Sequence, residues 1–160
     1  MKPCPKPVKQ KRKKRAPNPN SQKELEKRLE ALVRKIVFWR DSGKCIEADI
    51  DGGRCSDVLQ WGHWIARKQS AWMKLTLATF VQCSNHNGLE YHGDKTMTKV
   101  VSRLLGQTWI DRVTDEQMAH RGQKPNVDDL KARIQICEML WEHRPIVYDT
   151  ARLLELGYYG

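Results

Sequence analysis

The chain has no apolar run approaching the ~20 residues that a membrane span requires, which excludes a helical membrane protein. Its N-terminus carries charge but no apolar signal core, so a secreted protein is not expected and the cytoplasm is. Aromatic residues are scarce at 8%, and apolar residues total 39%, so a core within 160 residues is small and gains from a structural metal. Cysteine is neither absent nor even in number. There are five, which argues against a closed disulfide framework and for free or metal-bound thiols in a reducing compartment.

Acidic residues are missing from residues 1–15, which hold eight of the 29 Lys and Arg. The remaining 145 residues carry 21 basic against 19 acidic side chains, so the net charge of +10 resides mainly in the arm. Five of the seven prolines lie in residues 1–19, and Lys11, Arg12, Lys13, Lys14 and Arg15 are consecutive. Such a segment buries too little apolar surface to fold, and it predicts a disordered arm lying on phosphates. A solubility tail is the bland alternative. A membrane-surface role lacks the necessary apolar helix face.

The predicted organisation is an arm (1–19), an N-terminal helix (20–43), a central core (44–106) and a C-terminal helical region (107–160). The first helix begins at the capping box Ser21-Gln22-Lys23-Glu24. Leu25, Leu29, Leu32, Ile36 and Trp39 form its apolar stripe, and Phe38 and Trp39 are expected in the core. Gly43 suits a left-handed cap. Between Lys44 and Trp64, the turn signal Asp51-Gly52-Gly53-Arg54 and the run Val58–Trp61 predict two short strands forming a hairpin. Further helices are predicted over Asp94–Leu105 with Gly106 as cap, over Gln107–Val113, from an Asn126 cap through Leu130, Ile134, Cys137 and Trp141 to Pro145, and over Asp149–Leu156.

The central stretch carries the chemistry. Cys83-Ser84-Asn85-His86 has the spacing of a metal knuckle, and Cys45 and Cys55 offer the other two ligands of a tetrahedral zinc site. Four scattered residues are the alternative. Cys137 reads as core, and Cys4 as a free thiol of the arm. His63 follows Gly62 among Trp61, Trp64, Trp72, Arg67 and Lys68, a setting in which a neutral imidazole can take a proton from water. Asn87, directly after His86, offers an oxygen to a hard cation such as Mg²⁺. A base and a cation are the two requirements of phosphodiester hydrolysis.

Read in order, Cys45, Cys55, Gly62-His63-Trp64, Gln82-Cys83-Ser84-Asn85-His86-Asn87 and Gly93-Asp94 resemble the HNH, or His-Me finger, nucleases. The nearest likeness is to the phage NinG and Rap recombination proteins and the endonuclease VII type. The resemblance implies an α+β fold with a small zinc-stapled ββα-metal core flanked by N- and C-terminal helices. It implies a metal-dependent phage or prophage DNA endonuclease in the host cytoplasm, acting in recombination on branched or nicked DNA, with a homodimer as one arrangement.

Under it, His63 is the general base and Asn87 binds the catalytic Mg²⁺ or Mn²⁺. Cys45, Cys55, Cys83 and His86 hold structural Zn²⁺, and His92 is an additional metal or phosphate contact. Arg67, Lys68 and Lys11–Arg15 hold DNA. The chain departs from the family at Gly62 and Gln60, where relatives place a ligand, and in the wide Cys45–Cys55 spacing. The alternatives are a non-catalytic zinc module that binds nucleic acid and a structural phage DNA adaptor.

Overall fold

A computed structural model describes residues 18–48, 55–64, 70–88, 101–103 and 105–144. Lys11–Arg15, Arg67, Lys68, His92, the 51–54 turn, residues 94–100 and the segment 149–156 lie outside the described residues. The described elements are α1 (Gln22–Arg40), β1 (Leu59–His63), a 3-10 turn (Met73–Leu75), β2 (Thr79–Cys83), α2 (Gln107–Ala119) and α3 (Val127–Glu142). The fold is thus mixed α and β, and none of these helices is long and apolar enough to cross a membrane.

Helix α1 starts where predicted, but with half of the capping box. Ser21 Oγ accepts from the Glu24 N–H at 3.4 Å, whereas the Ser21 N–H donates to the Asn18 carbonyl and Glu24 turns to Lys27. Its buried residues are Leu25, Leu29, Val33, Ile36 and Val37. Trp39, expected in the core, is 37% exposed, and Phe38 is half-buried. At 100° per residue, Trp39 falls about 90° from the centre of that stripe, so the spacing from Leu32 led to its edge. The helix stops at Ser42 and Gly43, with φ of 54° and 60°, and the Gly43 N–H bonds the Phe38 carbonyl at 2.8 Å.

The hairpin partner is corrected. Strand β1 pairs antiparallel with β2, in register Leu59 with Cys83 through His63 with Thr79. All five residues of β2 are buried, as a strand covered on both faces must be. Phe80 and Val81 therefore point into different layers. Val81 and Trp61 join α1 and α3 in one apolar cluster, while Phe80 joins Met73, Val101, Trp109 and Val113 in the other. The sheet is the partition between them.

On the edge away from β1, β2 is held by the end of α1. Arg40 donates to the carbonyls of Leu77 and Thr79 at 3.0 and 2.7 Å, and Asp41 accepts from the Val81 N–H at 2.8 Å while pairing with Arg40 at 2.6 Å. This pair blunts an edge that would otherwise present open backbone groups. Asp41→Ala strands both the Val81 N–H and a nearly buried guanidinium. The expected loss is about 3 kcal/mol, read as a lower urea midpoint with an unchanged slope. A midpoint equal to wild type would show that the pair is idle.

At the other end, α3 carries the full capping box that α1 lacks. Asn126 Oδ1 accepts from Asp128 and Asp129 N–H, and Asp129 accepts from the Asn126 N–H. Leu130, Ile134 and Cys137 are buried as expected, whereas Trp141 is half-buried beneath Lys35. Helix α2 runs to Ala119, six residues beyond the predicted Val113. Gly106, at φ 79°, closes the helical stretch before it by bonding the Ser102 carbonyl. Helices α1 and α3 pack on each other within the chain.

Candidate metal centre

Cys45, Cys55, Cys83 and His86 converge, with their ligand atoms all within 4.8 Å of one another. The end of β2 organises them. Cys83 is the last residue of that strand, and the Asn87 N–H bonds the Cys83 carbonyl at 2.9 Å, closing the knuckle that turns His86 back. Cys45 arrives along the outer edge of β2, where the Ile46 N–H bonds the Val81 carbonyl at 2.9 Å. Cys55 arrives on the β1 side. There the Ser84 N–H bonds the Val58 carbonyl, and the Ser56 and Ser84 hydroxyls meet at 2.7 Å. The two cysteines therefore approach from opposite edges of one strand, which explains why nine residues separate them.

His86 Nδ1 faces the three thiols, 3.3 Å from Cys45 Sγ, 3.6 Å from Cys55 Sγ and 3.1 Å from Cys83 Sγ. A zinc tetrahedron with Zn–S of about 2.3 Å and Zn–N of about 2.0 Å has S–N edges of about 3.5 Å. The donor types and their separations fit a structural metal such as zinc. Cys45, Cys83 and His86 are buried and Cys55 is half-buried, so the site is closed on most sides.

The thiols differ in acidity. Burial pushes Cys83 up, yet backbone N–H groups of His86 and Ser56, the His86 charge and the Ser56 hydroxyl outweigh it and bring Cys83 down to about 6. Burial raises Cys45, and burial together with the neighbouring sulfurs pushes Cys55 to about 12. Cys83 is thus the most acidic of the three thiols, and full ligation releases the protons that Cys45 and Cys55 hold.

Glu47 was not legible as part of this region. Its carboxylate is buried, with Oε2 3.6 Å from His86 Nδ1. A Glu two residues after a cysteine carries no spacing signal. The Ser56–Ser84 pair was equally silent in the sequence.

His63 ends β1 opposite Thr79, half-buried, with its ring 4.4 Å from that of Trp61. Asn87 meets β1 elsewhere: its Nδ2 donates to Gln60 Oε1 at 2.8 Å, a bond that does not use its Oδ1. Gln60 and His63 are three residues apart, about 10 Å along a strand, and alternation places them on opposite faces. Gln60 thus orients Asn87.

Gly62 has a packing reason. A Cβ there would lie 1.9 Å from Gln82 Oε1 and 2.6 Å from its Cδ, because the buried Gln82 side chain crosses over it. Gly62→Ala is expected to cost about 2 kcal/mol in chemical unfolding, and Gln82→Ala in the same chain should recover part of it. Additive losses in the double variant would refute the clash.

No protein-family model matches the chain, and neither the curated proteins nor the solved structures contain a match.

Proposed function

We propose that the chain is a zinc-stapled, metal-dependent DNA endonuclease of the HNH type, acting on phage or prophage DNA in recombination. The observation that carries this reading is the assembly of a Cys₃His cluster at the end of a two-stranded antiparallel sheet that also bears His63 and is touched by Asn87. These are the residue types, in the chain order, of a ββα-metal nuclease. Cys45, Cys55, Cys83 and His86 would hold the structural ion. The Asn87 oxygen, which the bond to Gln60 does not use, would take a hard cation, and His92 would complete its shell.

A divalent cation there would supply Lewis-acid stabilisation of charge on the phosphorus oxygens and the departing 3′ oxygen. His63 takes the proton of the attacking water. Arg67, Lys68 and the arm hold the flanking phosphates. The test is incubation of the pure protein with supercoiled and four-way-junction DNA, with Mg²⁺ or Mn²⁺ and with EDTA. Cation-dependent nicking is expected, and its absence on every substrate removes the enzyme reading.

A second reading is a non-catalytic zinc module that binds nucleic acid. The register favours it, since Gln60 and its partner Asn87 sit on the face of β1 opposite His63. That module would bind DNA with the same zinc content and cut nothing.

A further inference from the structure

Three cations, Arg34 and Lys35 on the exposed side of α1 and Arg144 just after α3, have no carboxylate partner among the described residues. Arg34 lies over the Phe38 ring, with Cζ 5.6 Å from its centroid. Lys35 Nζ lies 3.8 Å and Arg144 Cζ 4.3 Å from the same Trp141 ring centroid. Their neighbours differ: Lys27 pairs with Glu24, and Arg28 pairs with Glu138.

A ring face offsets little of a cation's charge at an exposed site, about 0.5–1 kcal/mol each. Each cation therefore keeps most of its charge for an incoming anion. Positions 27, 31, 34, 35 and 38 recur every three or four residues on α1. They lie about 160° from the buried stripe, on the side facing away from the sheet. With Glu30 they line a concavity of about 620 Å³ in which bases outnumber the one acid three to one.

From Lys27 to Phe38 the stripe spans about 16 Å, long enough to follow successive phosphates of one strand. The Arg34 fork matches phosphate oxygens two at a time, and Arg144, whose Nη1 donates to the Trp141 carbonyl at 2.9 Å, adds its charge beside Lys35. We propose that this face is a docking surface for the DNA backbone, separate from the strand-borne residues and from the arm. It rests on the nucleic-acid reading above and adds to it a second contact across α1 from the sheet. A line of regularly spaced anions suits the length and spacing of the stripe better than an acidic peptide, whose charges have no fixed spacing.

The test uses the full zinc-loaded chain and a short labelled DNA duplex. The variant Arg34→Gln, Lys35→Gln, Arg144→Gln keeps the side-chain stems. It should lower the slope of log affinity against log salt by about 2–3 and weaken binding at least tenfold near 0.1 M salt, with zinc content and melting temperature unchanged. Independently, bound DNA should slow acylation of Lys27 and Lys35 in the wild-type chain, read by peptide mass spectrometry; this measurement decides if the variant fails to fold.

An unchanged slope, or unprotected lysines, in a chain that binds DNA overturns the surface and leaves the nuclease reading standing. Absence of any DNA binding overturns both. Binding of polyglutamate in place of DNA, lost in the variant, assigns the face to an acidic protein partner and overturns the proposal.

Discussion

Cys83→Ser is expected to release the bound metal and lower the melting temperature by about 15 °C. Cys83 joins the two routes into the cluster. It ends the buried strand β2, opens the knuckle and lies 3.1 Å from His86 Nδ1. Structural zinc contributes about 10–16 kcal/mol in small zinc-finger peptides, which are unfolded without it. Here two apolar clusters on either side of the sheet persist, so the loss is a fraction of that, about 5 kcal/mol. At about 3 °C per kcal/mol for a chain of this length, the shift is about 15 °C.

Strong chelator on the wild-type chain should give the same shift, and chelator on the variant should add nothing. Cys137→Ala is the control. That thiol is buried on α3 away from the cluster, and burial pushes it up to about 12, so its loss should trim the core but leave one metal per chain. Metal affinity should rise with pH, because Cys45 and Cys55 hold their protons in the metal-free protein and ligation must displace them. A Cys83→Ser chain that keeps a full equivalent of zinc and melts within about 3 °C of wild type would remove the staple.

The four candidate metal ligands were legible because ligand identity and the Cys83–His86 spacing are local facts. The route of the first two was not. The Asp51-Gly52-Gly53 signal suggested that Cys45 and Cys55 share a hairpin, but pairing is decided by which run can be buried on both faces. That run is Thr79–Cys83, whose last residue became the centre of the site. Helix starts and stops were legible at Ser21, Gly43, Gly106 and Asn126 because capping is chemistry between neighbours. Trp39 misled because a spacing of three or four residues marks a stripe without fixing its centre, which the packing of α3 and the sheet sets. Glu47 and the Arg40–Asp41 clamp are long-range contacts of common residue types, so no pattern announces them.

His63→Ala is expected to reduce cation-dependent nicking of supercoiled DNA by about 10²–10⁴-fold while leaving the fold intact. Gly62 lets Gln82 cross β1 one residue before His63, so the strand end that presents the imidazole is packed and fixed. The ring lies against Trp61 and is half-buried. Truncating it costs about 1 kcal/mol, or about 3 °C in melting temperature, far too little to account for a hundredfold rate loss by unfolding.

Added imidazole should restore part of the rate in His63→Ala and none in Asn87→Ala. A base supplied from solution can replace a missing base, but not a missing oxygen ligand. This separates the two residues that the register keeps apart. It also distinguishes a reacting imidazole from one that merely packs on Trp61, since packing is not recovered by a free base. Equal nicking rates in wild type and His63→Ala would take the base role from His63. Wild-type binding without nicking would leave the zinc-stapled sheet as a nucleic-acid platform, in which His63 packs on Trp61 and Asn87 bonds Gln60.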